Sequence, residues 1–509
     1  MTNGGKDSAK KLISLMTFGT RGDIQACLAV AVELNKTYNV RFLTNKGYKN
    51  LVEGYGVTYV PVAEDFLSPD VLREHKGLRE ALGSCNAKRF FRTCSDLCQT
   101  SNKSGAFMIR NEFKAFPPDL VLFGSLRLYW VQYFTHILKK PVLTLNLQLV
   151  GYDRNHAPFN IPVLPLGLHY YILFQTMTDR YKYFSYYDEK MEEIGEPRLC
   201  SVYSKKMFQC DQRKNLIGVK NEKRVICVSS LIRDVLYPNL DPERNICIGA
   251  CVLDAAQQKK NINSFGGKKN ELLIDEFIKR DTFDRRPIYF GWGSMFAVSE
   301  EFMVKMLVKA LVCTGERAIV LGGVARLNME ALCRATSDEK LISYAKENIL
   351  FVDQISHENI FPLLKCIVHH GGSGTTQAAL RAGVPSIITP IWLDQFCFSK
   401  AVNRLGVGIG FTKELKNISP KELSDAIMMV ITNDDIHHKS KTVAKHMHAE
   451  GGKVEITKIV DGILQDIEEE NSPMTSLLET ELIIPEIFVN SIVMIIITIA
   501  INFALSRLT

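Results

Sequence analysis

The chain has 509 residues, 46% of them apolar and 23% charged, which is more than one hydrophobic core usually serves and predicts two globular domains with additions. Its formal net charge of +7 comes without a basic run, so nucleic-acid binding is not indicated. The thirteen cysteines lack Cys-x-x-Cys pairs, which points to buried thiols in a reducing compartment rather than to zinc or disulfides.

The polar start 1–11 and the short apolar run after it do not match a secretory leader. Residues 12–18 read as a first β-strand, followed by Gly19-Thr20-Arg21-Gly22-Asp23 and a helix over 24–35. Strands follow at 40–44, 57–62, 120–124 and 141–145, the last after a helix containing 129–138. This alternation predicts a parallel, doubly wound sheet with right-handed crossovers. Between 65 and 116, and again between 151 and 216, the strands stop, and inserts are expected over the sheet edge. In the second insert Phe174, Tyr181, Tyr183, Phe184, Tyr186 and Tyr187 would either line an apolar cleft or pack as ordinary core.

Strands at 225–228 and 246–249 close a first domain set at 1–255. A polar, lysine-rich stretch at 257–270 lies in an interdomain linker set at 256–285. A second strand series, at 287–291, 318–322, 348–352, 366–369 and 384–390, belongs to a domain set at 286–465. An acidic linker, 466–486, then leads to the uncharged run 487–505. At 1.5 Å per residue that run reaches about 28 Å, near the hydrocarbon thickness of a bilayer. A membrane-spanning tail is expected there, forming a single-pass C-terminal anchor with the globular domains in the cytoplasm. A buried core helix and a helix lying in the membrane interface are the other readings.

The most informative stretch is Val368-His369-His370-Gly371-Gly372-Ser373-Gly374-Thr375-Thr376, where a strand meets a tight turn and a helix N-terminus. Glycines let backbone approach a ligand, and first-turn N–H groups with the helix dipole favour negative charge, so a diphosphate fits this turn. A glycine-rich turn that only packs helix against strand is the plainer alternative. Asp394 and Gln395 follow the next strand at its carboxyl end, where ligands of open α/β sheets sit, and suit sugar hydroxyls; each would otherwise cap a helix.

The block from His369 to Thr376, with Arg381-Ala382-Gly383-Val384-Pro385, Asp394-Gln395 and Asn403-Arg404-Leu405-Gly406-Val407-Gly408, closely resembles the donor signature of inverting nucleotide-sugar glycosyltransferases of the GT-B fold. Within that superfamily it is most similar to the sterol glucosyltransferase and antibiotic glycosyltransferase branch. The resemblance implies two Rossmann-like domains facing a cleft, the first for acceptor and the second for donor. It implies transfer of a hexose, glucose foremost, from a UDP-sugar to a sterol or other lipid hydroxyl. A soluble aglycone as acceptor, or a non-catalytic nucleotide-sugar-binding protein, are the alternatives. No metal or cofactor is implied.

Thr20, Arg21, Gly22 and Asp23 match the block with which that branch begins, and the resemblance makes Asp23 the general base for the acceptor hydroxyl. The competing role for Asp23 is to cap the helix after it. His369, with Gly371, Gly372, Ser373, Gly374 and Thr375, is expected to meet the diphosphate, and His370 has the weaker claim; a structural histidine is the alternative at 369. Gly293 and Ser294 match a loop that approaches the phosphates in the family. Gln354 and Ile355 fall in the region of the nucleobase.

Overall fold

The computed structural model describes residues 10–63, 69–86, 89, 93, 105, 107–124, 133–148, 182–202, 205, 224–240, 242, 245–280 and 285–469. It divides into two compact units, Met1–Lys458 and Ile459–Thr509. The first unit holds two parallel sheets. The second is described only to residue 469, within and just after the helix Lys453–Glu468.

The first sheet consists of β1 Leu12–Thr17, β2 Asn39–Asn45, β3 Thr58–Ala63, β4 Leu120–Gly124, β5 Val142–Asn146, β6 Arg224–Ile226 and β7 Asn245–Cys247, in the order β3-β2-β1-β4-β5-β6-β7. The second consists of β8 Ile288–Gly291, β9 Ala318–Leu321, β10 Ile349–Val352, β11 Ile367–His369, β12 Ser386–Ile388 and β13 Gly408–Gly410, in the order β10-β9-β8-β11-β12-β13. Strands covered on both faces read as continuous apolar runs, and every residue of β4 and β8 is buried. In each sheet the order reverses beside the first strand, between β1 and β4 and between β8 and β11. Crevices at the carboxyl ends of strands open at such points.

The strands expected from the sequence are present, but β13 was not among them. Three residues with glycine at both ends carry almost no strand signal. Glycine is required nonetheless, because a Cβ at Gly408 would lie 1.9 Å from the Ser386 carbonyl oxygen. The first helix also begins earlier than expected, running Arg21–Leu34 with Thr20 at its N-cap. Of the helix expected at 129–138, residues 133–136 are helical and 129–132 lie outside the described residues. The stretch read as a linker is folded as helices Ala255–Lys260 and Gly267–Lys279 with a 3₁₀ turn, Ile262–Phe265, between them. Its polar composition is that of a capped helix: Asp254 Oδ1 accepts the Gln257 N–H at 2.9 Å, and Gln257 Oε1 accepts the Asp254 N–H at 2.9 Å.

The inserts do more than cover an edge. Helices Pro69–Glu74 and Lys76–Gly83, which follow β3, deliver Leu72, Leu78, Ala81 and Leu82 into the hydrophobic core around Phe290, Trp292 and Leu307 of the second half. A second shared core joins Ile226, Val228 and Ile232 to Leu380, Ile388 and Phe398. Tyr187 of the second insert packs against the core around Met16, Phe123 and Phe134, while Phe174 and Tyr181 and the side chains of Tyr183, Phe184 and Tyr186 lie outside the described residues.

The expectation of a transmembrane helix is corrected. The run 487–505 lies outside the described residues, and among those described no helix is long and apolar enough to cross a membrane. The longest, Asp434–Ala449 and Lys453–Glu468, have 16 residues each and carry charges along their length, short of the ~20 apolar residues a span needs. The fold is two Rossmann-like halves, and the single-pass anchor with cytoplasmic domains is withdrawn with the helix.

Candidate functional site

At the carboxyl end of β1 the chain turns through Gly19 (φ 144°) into the helix Arg21–Leu34. A Cβ at Gly19 would come within 2.4 Å of Asp23 Oδ2, so glycine lets the Asp23 carboxylate fold back over the turn. Oδ2 accepts the Thr20 backbone N–H at 3.0 Å and its hydroxyl at 3.2 Å. The capping role is therefore present, and it occupies one oxygen only. Oδ1 makes no hydrogen bond to another of the described residues. The carboxyl keeps some solvent access by surface area, yet lies deep enough that burial raises its pKa above 3.8, against the lowering effect of the Thr20 bonds. A carboxylate of raised basicity, with an oxygen that no other described residue binds, is suited to accepting a proton. Next to it, Gly22 is exposed, and the Arg21 guanidinium points to the Ser264 carbonyl and over the Phe265 ring, 4.8 Å from its centroid.

In the second half, β8 and β11 are hydrogen-bonded neighbours, with Gly291 opposite His369, so the loops after both strands meet at the reversal of strand order. Gly371 (φ 90°) turns the chain from β11 toward the helix Ser373–Arg381; a Cβ there would strike Ile388 Cγ2 at 2.6 Å. The first intrahelical bond is from the Thr376 N–H to the Gly372 carbonyl, 3.0 Å. The N–H groups of Ser373, Gly374 and Thr375 thus precede the helix ladder and, with the helix dipole, make an end suited to an anion. A Cβ at Gly374 would meet open space. The hydroxyls of Thr375 and Ser294 have no partner among the described residues.

The two histidines have different surroundings. His369 is fully buried, and its Nδ1 accepts the Gly371 N–H at 3.1 Å, which leaves the proton on Nε2. Burial first, then His370 and His357, holds its pKa well below 6.5. His370 is only partly buried and lies between the two glycine loops. A Cβ at Gly372 would fall 2.4 Å from its Nε2, and one at Gly293 (φ 58°) 3.5 Å from its Cε1. Burial lowers His370 to about 4, opposed by the nearby Gly291 backbone, so both rings are neutral at pH 7. Of the two imidazoles, His370 is the one lodged among the loops that surround the helix end.

Asp394 follows β12 on a strained turn, since Leu393 before it has φ 51°. It occupies the N-cap of the helix Gln395–Leu405 without making a side-chain cap bond. Burial, then the charge of Asp23, pushes its pKa up to about 7, while its own backbone N–H and the Gln148 side chain favour the ionised form. The Asp23 effect brings the carboxylates of the two halves into one electrostatic site. Gln395 Oε1 accepts the N–H groups of Ile391 at 2.7 Å and Trp392 at 3.2 Å, so its oxygen shapes the turn and only its NH₂ remains for a ligand. Ile355 is 7% exposed, in the core around Phe361, whereas Gln354 is exposed and its carbonyl accepts from Asn270 Nδ2 at 2.6 Å.

Two polar residues were missed from the sequence. Gln148 stands just past the carboxyl end of β5, where the strand position was the only signal. Gln377 lies in the helix Ser373–Arg381, where a glutamine inside the apolar run after the glycine turn is a polar group in need of partners.

Residues 13–113 match the glycosyltransferase family 28 N-terminal domain, and residues 318–463 match the Erythromycin biosynthesis protein CIII-like, C-terminal domain. A sterol 3-beta-glucosyltransferase of Cryptococcus neoformans var. neoformans serotype D is 25% identical over 496 residues, covering 93% of this chain and 28% of its own length. One of Komagataella phaffii is 24% identical over 444 residues, covering 86% and 33%, and one of Saccharomyces cerevisiae is 31% identical over 209 residues, covering 41% and 16%. The chain thus spans a third or less of the length of these relatives. Among solved structures, the glycotransferase of kitacinnamycin aligns with a TM-score of 0.62 at 15% identity over 89% of this chain and 99% of that one. The glycosyltransferase VinC in complex with dTDP aligns at 0.52 and 16% identity over 90% and 100%. In sequence the chain is similar to sterol 3-beta-glucosyltransferases, and in fold it is similar to the solved two-domain glycosyltransferases.

Proposed function

We propose that the chain transfers a hexose, which we take to be glucose, from a UDP-sugar to the hydroxyl of a sterol or similar lipid, with inversion. The observation that carries this reading is that the charge of Asp23, at the strand reversal of the first sheet, reaches Asp394, whose neighbour Gln395 packs against the Gly371 turn before the helix end of the second. An inverting transfer needs one base on the acceptor side and fixed hydrogen-bond donors on the leaving-group side.

In this reading Asp23 Oδ1 takes the proton of the acceptor hydroxyl as its oxygen attacks the anomeric carbon. The bond from that carbon to the diphosphate breaks, and UDP departs with the electron pair. The N–H groups of Ser373, Gly374 and Thr375 meet the charge that develops on the phosphate, helped by the Ser294 and Thr375 hydroxyls. His370 rather than His369 is our assignment for the imidazole that reaches the phosphates, because its ring lies between Gly293 and Gly372. His369 then shapes the turn through Gly371. Asp394 and the Gln395 amide bind sugar hydroxyls. A dTDP complex among the structural neighbours, and sterol enzymes among the sequence relatives, support the choice of nucleoside diphosphate and acceptor.

The test is incubation of the purified full-length protein with radiolabelled UDP-glucose and a total lipid extract. Label in a steryl glycoside is the expected result. Label confined to water-soluble glycosides would refute the lipid acceptor, and no transfer would refute the enzyme.

A further inference from the structure

The helix that ends at the proposed phosphate site carries a buried polar side chain whose bonds leave its own half. Gln377 is 4% exposed. Its Nε2 donates to the Cys227 carbonyl and to Ser373 Oγ, each at 3.2 Å, and its Oε1 accepts the Ser229 N–H at 3.2 Å. Cys227 and Ser229 belong to the turn after β6 in the first half. That turn is itself held, because Glu450 Oε1 accepts the Ser230 N–H at 2.7 Å and the hydroxyls of Ser229 at 3.0 Å and Ser230 at 2.8 Å.

The backbone dictates which way the amide points. A carbonyl can only accept and an N–H can only donate, so the NH₂ must face Cys227 and the oxygen must face Ser229. The same NH₂ then meets Ser373, whose hydroxyl oxygen can only accept from it. The Ser373 proton is left to point elsewhere, and Ser373 is the first residue of the helix end where the phosphate is placed.

We infer that Gln377 is a positioning residue: held by the first half, it turns the Ser373 hydroxyl into a phosphate-facing hydrogen-bond donor, so that nucleotide affinity depends on contact between the halves. The inference rests on the nucleotide-sugar reading above. Calorimetry of the full-length protein with UDP tests it in a double-mutant cycle. Gln377→Met should weaken UDP binding about tenfold in the parent, in line with the loss of one charge-assisted hydrogen bond, and should cost nothing further in a Ser373→Ala background. Transfer assays should show a raised KM for UDP-glucose with an unchanged KM for acceptor.

Ser229→Pro gives a second route, since Ser229 has φ −57°, close to the value proline imposes, and proline removes its N–H. It should weaken UDP binding in the parent and not in Ser373→Ala. Equal losses in both backgrounds, or no loss in either, would overturn the inference. Failure of the parent protein to bind UDP at all would instead overturn the nucleotide-sugar reading beneath it.

Discussion

Replacing Asp394 with Asn is expected to stabilise the protein above neutral pH while damaging transfer. Burial, and after it the negative charge of Asp23, lifts Asp394 from 3.8 to about 7, so the folded chain resists its ionisation. The unfolded chain ionises it near 3.8. Between those values the folded state holds the extra proton, and stability falls as pH rises through that window, then stays at the lower level above about 7. The interval corresponds to about 4 kcal/mol, at about 1.4 kcal/mol per pH unit. Solvent reaching the partly exposed carboxyl, and the shared response of Asp23, reduce that to about 1–2 kcal/mol. Asn has the same shape, can still meet Gln148, and carries no charge, so it should recover this amount at pH 8 and almost none at pH 4. Thermal midpoints of variant and parent, measured at both pH values and one ionic strength, provide the check. A variant no more stable than the parent at pH 8, or shifted equally at both, would refute the argument.

Four further outcomes are expected. Asp23→Asn should abolish transfer while calorimetry still detects UDP binding, because the phosphate contacts proposed above lie in the other half; near-normal turnover would end its assignment as base. In the parent protein kcat/KM for the proposed transfer should climb with pH along an acid limb above the ordinary carboxylate value, since Asp23, as the proposed base, must be ionised to accept a proton and burial raises its pKa. His370→Ala should cost about 1.5–3 kcal/mol of UDP affinity, whereas His369→Ala should act mainly on the thermal midpoint, and the reverse pattern would return the phosphate to His369. Gly408→Ala should lower stability by about 1–3 kcal/mol in chemical denaturation, because the new methyl meets the Ser386 carbonyl oxygen and pushes β12 and β13 apart.

What the sequence disclosed was governed by how local each signal is. Continuous apolar runs such as Leu120-Val121-Leu122-Phe123 announce a doubly covered parallel strand, and the glycines before Ser373 announce a helix end open to an anion, because both depend on near neighbours in the chain. The partnership of Asp23 with Asp394, or of Gln377 with Ser229, depends on residues far apart that only the packed halves bring together. The choice between adjacent histidines is open in the sequence for a related reason: strand alternation sends one ring into the core and the other among the glycine loops, and the dipeptide alone does not say which. Gly408-Ile409-Gly410 was passed over because composition argues against a strand, while the close approach of a neighbouring carbonyl makes glycine necessary there. Polarity at 257–270 suggested a loose connector, yet the reciprocal Asp254 and Gln257 bonds begin a helix in it.

The helices Pro69–Glu74 and Lys76–Gly83 have a consequence for how the chain is made. Their apolar face, with Leu72, Leu78 and Leu82, is completed by Phe290, Trp292 and Leu307, and Arg79 joins the Val324 carbonyl and the Glu300 carboxylate at 3.0 and 2.6 Å. Roughly 200 residues separate the two sides of that core, so at 5–20 residues per second the early helices emerge from the ribosome about 10–40 s before their counterparts exist. During that interval three leucines have no interior to enter, which makes this segment the place where a nascent chain would engage a chaperone. A fragment stopped near residue 255 would keep them in water permanently, and it should aggregate where the longer chain folds.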